Sequence, residues 1–102
     1  MEKTFKSTSG TSFQNVTFEA SINQLIKILG EPTEEDNTGE DKVNFEWDME
    51  TDEGNVFTIY DWKEYRKISD IEVIEWHIGS FSKSTSIAGA HEVQKQLNDL
   101  FN

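Results

Sequence analysis

Residues 54–80, GNVFTIYDWKEYRKISDIEVIEWHIGS, contain two runs of strand-forming residues separated by a charged link. In both runs apolar residues alternate with polar or aromatic ones, which is the period expected of strands that bury one face. The two strands carry Tyr60, Trp62, Trp76 and His77, and the short turn between them carries Lys63, Arg66 and Lys67. Aromatic rings beside cations are typical of sites that hold a flat, charged molecule.

A third strand is predicted just before this pair. KVNFEWDM at 42–49 places Phe45, Trp47 and Met49 on one side and polar residues on the other. Three sequential strands joined by short links predict an antiparallel meander. Near the start of the chain, TSFQNVTF at 11–18 predicts a further short strand or hairpin.

Two helices are expected beside these strands. Ile22, Leu25, Ile26 and Leu29 recur at helical spacing, Ser21 and Gln24 fit a capping box, and Gly30 followed by Pro32 ends the segment. A C-terminal helix is predicted by the same spacing at Ala90, Val93, Leu97, Leu100 and Phe101. The expected fold is α+β, a single domain over residues 1–102 with two helices packed on one face of a mostly antiparallel sheet of three to five strands.

Composition limits the class of protein. A chain of 102 residues suffices for one core, and the absence of cysteine removes disulfides and thiolate metal sites from consideration. No apolar run reaches the ~20 residues of a membrane span or forms a signal peptide. We therefore expect a soluble cytoplasmic protein with no membrane partner.

The net charge of −11 is concentrated in one segment. Residues 31–53 hold eleven Asp or Glu and one Lys, so their net charge is −10. Double-stranded nucleic acid is not an expected partner of this acidic patch, because phosphates require positive neutralisation. The part of it at residues 31–41 is expected to be a solvated loop without an apolar anchor.

A series of short blocks gives the chain a resemblance to a known group of proteins. The blocks are TSFQ (11–14), LGEP (29–32), DKV (41–43), EW (46–47), GNVFTIYDWKE (54–64) and EWHIGS (75–80). In this order they resemble a family of small, mostly uncharacterised phage-encoded proteins, from which the chain departs at Phe13 and Ser80. The resemblance implies a phage origin, one compact domain and residence in the host cytoplasm. It implies no reaction, although phage proteins of this size often act on host enzymes or host immune signals.

The faces of the strands divide the aromatic residues into two groups. Tyr60 and Trp62 are out of phase with Phe57 and Ile59, so they are expected on the face that the helices leave open. Trp76 is in phase with the apolar residues of its strand, so a core position is an alternative to a ligand contact there. Aromatic residues on an open face indicate a binding surface or an oligomer interface.

A second candidate site is the serine-rich segment Gly79–Ser86, which leads into the last helix. Backbone N–H groups at a helix start, with hydroxyls and Lys83, could hold a phosphate, although the spacing is not that of a Walker motif. The alternative is a linker that caps the helix. If both sites form, a base would stack near Tyr60 or Trp62 while phosphate sits near Lys83 and Ser84.

Two further interpretations stay open. A small hydrolase could use His77 with Glu46 or Glu75, but these residues have no metal-ligand or nucleophile spacing. The acidic patch at 31–53 could imitate DNA phosphates and inhibit a host defence or repair enzyme, although a solvating loop is the more common role of such a segment.

The pattern as a whole favours a phage counter-defence protein that sequesters a small anionic, nucleotide-derived ligand without turnover. It predicts no cofactor, no metal and no catalytic residues, and the open aromatic face predicts a homo-oligomer. The expected ligand-binding residues are Tyr60, Trp62, Lys63, Arg66, Trp76, His77, Lys83 and Ser84.

Overall fold

The computed structural model describes residues 1–101, and the side chain of Phe101 lies outside the described part. The elements are β1 (Glu2–Lys3), β2 (Ser12–Ala20), α1 (Ile22–Leu29), β3 (Glu34–Glu35), β4 (Phe45–Glu50), β5 (Val56–Tyr60), β6 (Ile74–Ser80) and α2 (Lys83–Phe101). The strands form one antiparallel sheet in the order β1-β4-β5-β6-β2, and β3 pairs with β4. The predicted α+β class and the β4–β5–β6 meander are confirmed.

Helix α1 begins and ends where its capping residues predict. The Ser21 hydroxyl accepts a hydrogen bond from the Gln24 backbone N–H, and the Gln24 side chain accepts one from the Ser21 N–H. Gly30 closes the helix by donating its N–H to the carbonyl of Ile26 at 2.8 Å. The capping box and the glycine stop are therefore both confirmed.

The core lies between the two helices and one face of the sheet. At its centre Trp47 and Trp76 meet edge to face, with ring centroids 5.5 Å apart. Their indole N–H groups donate to the carbonyls of Gly30 at 2.9 Å and Ala20 at 2.8 Å. Both rings are fully buried. A buried indole N–H needs a hydrogen-bond acceptor, and each of these two has one.

The other face of the sheet, here called the open face, carries the alternating residues of β4, β5 and β6. Glu46 lies opposite Tyr60, and Tyr60 lies opposite His77. Tyr60 is therefore on the open face, as its phase predicts. At one end of this face the chain between β1 and β2 passes along the sheet, with the Lys6 ammonium donating to the carbonyl of Gly54 at 2.9 Å.

Strand β2 is longer than predicted and forms one edge of the sheet. Its nine residues pair with β6 at six positions, and the register shifts between Phe13 and Thr17. Asn15 lies within this bulge and has φ 61°, a left-handed conformation that asparagine tolerates. Residues 14–16 therefore interrupt the regular ladder of the edge strand.

One predicted connection is wrong. The link from β5 to β6 is not a short turn but a long loop, residues 61–73. The acidic stretch 31–41, expected to lack an apolar anchor, is held by polar contacts: it contains β3, and its Asn37 side chain bonds to the backbone of Ile68. No helix within residues 1–101 is long and apolar enough to cross a membrane.

Candidate functional site

Four rings form a continuous row across the open face, here called the aromatic row: Phe13, His77, Tyr60 and Trp62. Phe13 stacks on His77 with ring centroids 4.4 Å apart. His77 lies 5.7 Å from Tyr60, which in turn meets Trp62 edge-on at 6.1 Å. Trp62 is the outermost ring and leaves 42% of its surface exposed. The row therefore ends in an aromatic face that a planar molecule can reach.

A buried carboxylate fixes the position of Trp62. Asp61 is completely buried, and its oxygens accept the backbone N–H groups of Asn44 and Phe45 at 2.8 Å. Burial raises the pKa of Asp61, while these backbone hydrogen bonds act in the opposite direction. Because the carboxylate joins the end of β5 to the start of β4, the chain leaves the sheet with Trp62 held beside Tyr60.

Further hydrogen bonds join the 61–73 loop to the acidic segment. The Asn37 side chain donates to the Ile68 carbonyl at 2.9 Å and accepts the Ile68 N–H at 2.8 Å. The Asn44 amide donates to Asn37 and to the carbonyl of Arg66, the latter at 2.7 Å. The two loops that the sequence separates are thus one hydrogen-bonded unit.

Gly39 lets this unit close. A Cβ atom at Gly39 would lie 2.4 Å from the Cα of Arg66, and the residue has φ 81°. Neither the space nor the backbone conformation suits an L side chain. On the other loop, Lys63 and Tyr65 also have left-handed φ values, 55° and 50°. Such strain persists only where the surrounding contacts enforce it.

Two lysines flank the exposed ring. The ammonium groups of Lys42 and Lys63 lie 5.8 Å and 5.5 Å from the centroid of Trp62. The backbone N–H of Lys63 also donates to the carbonyl of Lys42 at 2.8 Å, which holds the two residues together. No carboxylate in the described part of the chain forms an ion pair with either lysine. Lys42 also lines the cavity that the acids of the 31–53 segment border.

A cleft of about 230 Å³ opens beside the row. Its walls come from the open face, the segment before β2 and the acidic loop, and comprise Thr8, Thr11, Ser12, Val43, Glu46, Thr58, Tyr60, Trp62 and Gly79. Gly79 forms part of the floor, where a Cβ atom would lie 2.7 Å from the Thr58 hydroxyl and 3.4 Å from the Tyr60 ring. The missing side chain keeps this space open.

The acidic wall of the cleft carries a proton at neutral pH. Burial, followed by a hydrogen bond and charge repulsion with Asp48, raises the pKa of Glu46 to about 8, and Glu34 across the strand pair adds repulsion. Burial of the Tyr60 hydroxyl, together with the charge of Glu46, raises the pKa of Tyr60. The Asp48 Oδ1 atom is buried and has no hydrogen-bond partner. A carboxyl and a carboxylate thus lie side by side at this wall.

Four predicted ligand residues, in three groups, do not join the row, and the first two groups are Trp76 and Arg66. Trp76 is fully buried on the core face, which is the core position that its phase offered as the alternative. Arg66 is on the correct loop, but its guanidinium binds Glu72 through two contacts of 2.8 and 2.5 Å. That pair raises the pKa of Arg66 and lowers the pKa of Glu72, which leaves no free cation there.

The third group, Lys83 and Ser84, belongs to the start of α2 at the other end of the sheet. Ser80 pairs with Phe57, three residues along β5 from Tyr60, which corresponds to about 10 Å along the strand. Helix α2 also packs on the core face. The fold therefore does not bring Lys83 and Ser84 together with Tyr60.

The serines before α2 bond to one another. Ser82 accepts the backbone N–H of Thr85 at 3.3 Å, and the hydroxyls of Ser80 and Ser86 lie 2.6 Å apart. This pattern is that of a linker that caps its helix, the alternative that the sequence left open.

The proposed hydrolase residues are not assembled. Tyr60 lies between Glu46 and His77 in the register, so the two side chains are two strand spacings, about 10 Å, apart. Glu75 is nearer, but its carboxylate lies 3.6 Å from His77, beyond a normal hydrogen bond. Within the described residues no three His, Asp or Glu side chains are grouped as metal ligands.

Four cavities in the described part of the chain are larger than the aromatic cleft, and the two with the greatest volumes lie outside the aromatic row. One of about 520 Å³ lies between the helices and the β4–β5 turn, and there the Met1 ammonium pairs with Asp52 and Glu92. The other, of about 480 Å³, is lined by the acids of the 31–53 segment and shares Val43 and Glu46 with the aromatic cleft. Its presence shows that the acids border a shaped surface.

Sequence reasoning missed several residues of the cleft. Thr58 could have been found, because it is two residues from Tyr60 in β5 and therefore lies on the same face of the strand. Lys42, Thr8 and Thr11 could not, since they reach the site through loop contacts that no periodicity encodes.

Comparison with known proteins adds no assignment. No family model, no curated protein and no solved structure shows a significant match to the chain.

Removal of the Asp61 carboxylate should destabilise the fold. We expect Asp61→Ala to lower the free energy of unfolding by about 3 kcal/mol, because two buried N–H groups lose their acceptor. Asp61→Asn should lose less, since its amide oxygen still accepts. Urea denaturation measures both, with Asp70→Ala, an exposed position on the same loop, as the control. A loss below about 1 kcal/mol in Asp61→Ala would contradict the clamp.

Stability should fall as the pH rises through the titration of Glu46. The unfolded chain releases this proton near pH 4.5 and the folded protein near pH 8, so the contribution is complete below pH 4.5 and lost by pH 8. Because Glu46 is partly exposed, we expect the loss to be about 2 kcal/mol.

Glu46→Gln removes that titration. The difference in unfolding free energy between Glu46→Gln and the unmodified protein should therefore grow in favour of the variant from pH 5 to pH 8. Glu19→Gln, at an exposed acid of β2, is the control. Parallel pH profiles of the unfolding free energy for Glu46→Gln and the unmodified protein would refute the raised pKa of Glu46.

Proposed function

We propose that this protein binds and sequesters a small anionic, nucleotide-derived ligand without turnover. The observation that supports the proposal most directly is the exposed Trp62 ring, which lies at the mouth of a polar cleft between two unpaired lysines. In this arrangement a planar base enters the cleft beside Tyr60 and Trp62, and the anionic group meets Lys42 and Lys63.

The aromatic part of the site suits a base. Stacking on an aromatic side chain contributes about 1–3 kcal/mol per base and does not depend on its identity. The cleft of about 230 Å³ is smaller than the ~300–1,000 Å³ of drug-sized sites, so it accommodates one ring system rather than a whole dinucleotide. The sugar and phosphate would remain outside, where the lysines are.

The cationic part of the site is small, and neither lysine forms an ion pair in the described part of the chain. Lys42 is the one basic residue of the 31–53 segment. The fold brings its side chain close to Trp62, together with that of Lys63. Lysine binds phosphate as a point charge on a flexible stem, so these two side chains can follow an anion at the mouth of the cleft.

The separation of His77 from Glu46 supports sequestration rather than turnover. Tyr60 lies between these two side chains, so they do not form an acid–base pair at the bound position. With a phage origin, such a protein would act as a counter-defence factor that removes a nucleotide signal in the host cytoplasm.

Replacement of Trp62 should weaken binding and leave the fold intact. A panel of mono-, di- and cyclic nucleotides is expected to raise the melting temperature of the unmodified protein, and Trp62→Ala should bind the active member roughly 5- to 150-fold more weakly. Phe5→Ala, at another exposed aromatic residue, should bind normally. Mass spectrometry should recover the ligand unchanged. If no nucleotide of the panel shifts the melting temperature, the proposal is wrong.

A second candidate function has support from the acidic segment. Glu34 and Glu35 lie on β3, and with Asp36 and Asp41 they border the cavity of about 480 Å³. Acids held on hydrogen-bonded backbone could meet a basic surface of a host defence or repair enzyme, as an imitation of DNA phosphates would.

Neutralisation of this surface tests the second candidate. The quadruple variant Glu34→Gln, Glu35→Gln, Asp36→Asn and Asp41→Asn should lose a pull-down with a host nuclease or repair enzyme, and raised salt should weaken the unmodified complex. A control set at the exposed acids Glu19, Asp70, Glu75 and Asp99 should retain it. Equal retention by both sets would exclude the acidic surface as the contact.

A further inference from the structure

Residues 5–11, which connect β1 to β2, cross one end of the open face and are here called the strap. They must cross the sheet because β1 and β2 lie at its opposite edges. Val56 and Thr58 alternate with the core residues of β5, so they lie on the open face, yet they are only 8% and 4% exposed. Both helices pack on the other face, so the strap is the segment that covers these two residues.

The strap is longer than its path requires. Nine residue steps lead from Lys3 in β1 to Ser12 in β2, and an extended chain of that length reaches about 30 Å. The four strand spacings from β1 to β2 amount to about 19 Å. A turn takes up part of the excess: the Thr11 N–H donates to the Thr8 carbonyl at 3.1 Å, with Gly10 at φ 90°. The strap can therefore move away from the sheet while β1 and β2 stay paired.

Lys6 supplies the contacts that hold the strap on the sheet. Its ammonium donates to the Gly54 carbonyl at 2.9 Å and lies 3.3 Å from a carboxylate oxygen of Glu50. Phe5, the one apolar residue of the strap, is fully exposed, so apolar burial adds nothing to this attachment. An ion pair of an exposed lysine contributes little, and segments without buried apolar contacts open most readily.

The strap is also a wall of the aromatic cleft. Thr8 and Thr11 line the cleft together with Tyr60 and Trp62, and Thr58 lies deep within it. Displacement of the strap would widen the cleft and expose Thr58. The rings would keep their places, because they belong to the sheet and to the loop that Asp61 holds.

We propose that the strap is a gate of the aromatic cleft. It opens when the Lys6 ammonium leaves Gly54 and Glu50, admits a planar ligand beside Tyr60 and Trp62, and closes over it. Retention of a ligand by the gate rests on the proposed function, whereas opening of the gate is a property of the free protein.

Opening can be measured without a ligand, because the chain contains no cysteine. In Thr58→Cys, alkylation of the buried thiol by iodoacetamide, followed by intact mass, reports the fraction of open strap. Adding Lys6→Met should raise the alkylation rate about twofold to fivefold, the range that an exposed ion pair and one hydrogen bond allow. Lys6→Arg, which keeps the cation, and Lys27→Met, at an exposed lysine of α1, should leave the rate near that of Thr58→Cys alone.

A thiol in the core distinguishes opening of the strap from unfolding. Val93→Cys places it at a fully buried position of α2, and its alkylation rate should not respond to Lys6→Met. Equal alkylation rates of Thr58→Cys with and without Lys6→Met, or an equal rise at both thiols, would overturn the gate. If Thr58→Cys does not fold, acrylamide quenching decides. Trp62 is exposed while Trp47 and Trp76 are fully buried, so quenching should increase in Lys6→Met alone, and unchanged quenching would overturn the gate.

Retention is measured with the nucleotide that raises the melting temperature most. Its dissociation rate, followed by Trp62 fluorescence in stopped flow, should be about twofold to fivefold higher in Lys6→Met than in Lys27→Met or the unmodified protein. An unchanged dissociation rate beside faster alkylation of Thr58→Cys would overturn retention and leave both the opening and the proposed function standing. If no nucleotide binds, the proposed function and retention both fail, and alkylation still decides whether the strap opens.

Discussion

The buried carboxylate of Asp61 is the constraint on which the rest of the site depends. It lies between Tyr60 and Trp62 in the chain and binds the backbone at the start of β4. A buried charge is tolerated only where hydrogen bonds replace its hydration, and here backbone donors supply them. One side chain thus sets both the register of the β4–β5 pair and the direction in which the exposed indole projects.

The consequence is a surface of mixed character. The acidic segment and the aromatic loop are tied together through Asn37 and Asn44, so Glu46 borders both the acidic cavity and the aromatic cleft. The one lysine of the acidic segment lies near Trp62 and also lines the acidic cavity. An anion that approaches this strongly negative protein therefore finds attraction only over a small area, which favours a compact ligand over an extended polyanion.

Much of the fold follows from local patterns in the sequence. Alternation in 42–49 and 54–80 correctly divides the residues between the two faces, and the Ser21 and Gly30 caps set the limits of α1. The site is less predictable. The predicted group formed by Tyr60, Trp62, Lys63 and His77 is brought together as the positions of these residues suggest. Trp76, in contrast, lies on the core face with the other apolar residues of its strand, and Lys83 lies at the start of α2, at the other end of the sheet. Contacts such as Asn37 with Ile68 join segments about thirty residues apart through side-chain geometry, which no periodic pattern encodes.

The interruption in β2 also affects how the edge of the sheet could pair with a second copy of the protein. An edge of nine residues displays unpaired backbone groups that a neighbouring chain could continue as a sheet. The left-handed Asn15 and the shifted register beside it twist that ladder out of the straight alignment which intermolecular ribbons require. A second copy that continued the sheet from β2 would therefore have to match a backbone that is irregular at residues 14–16.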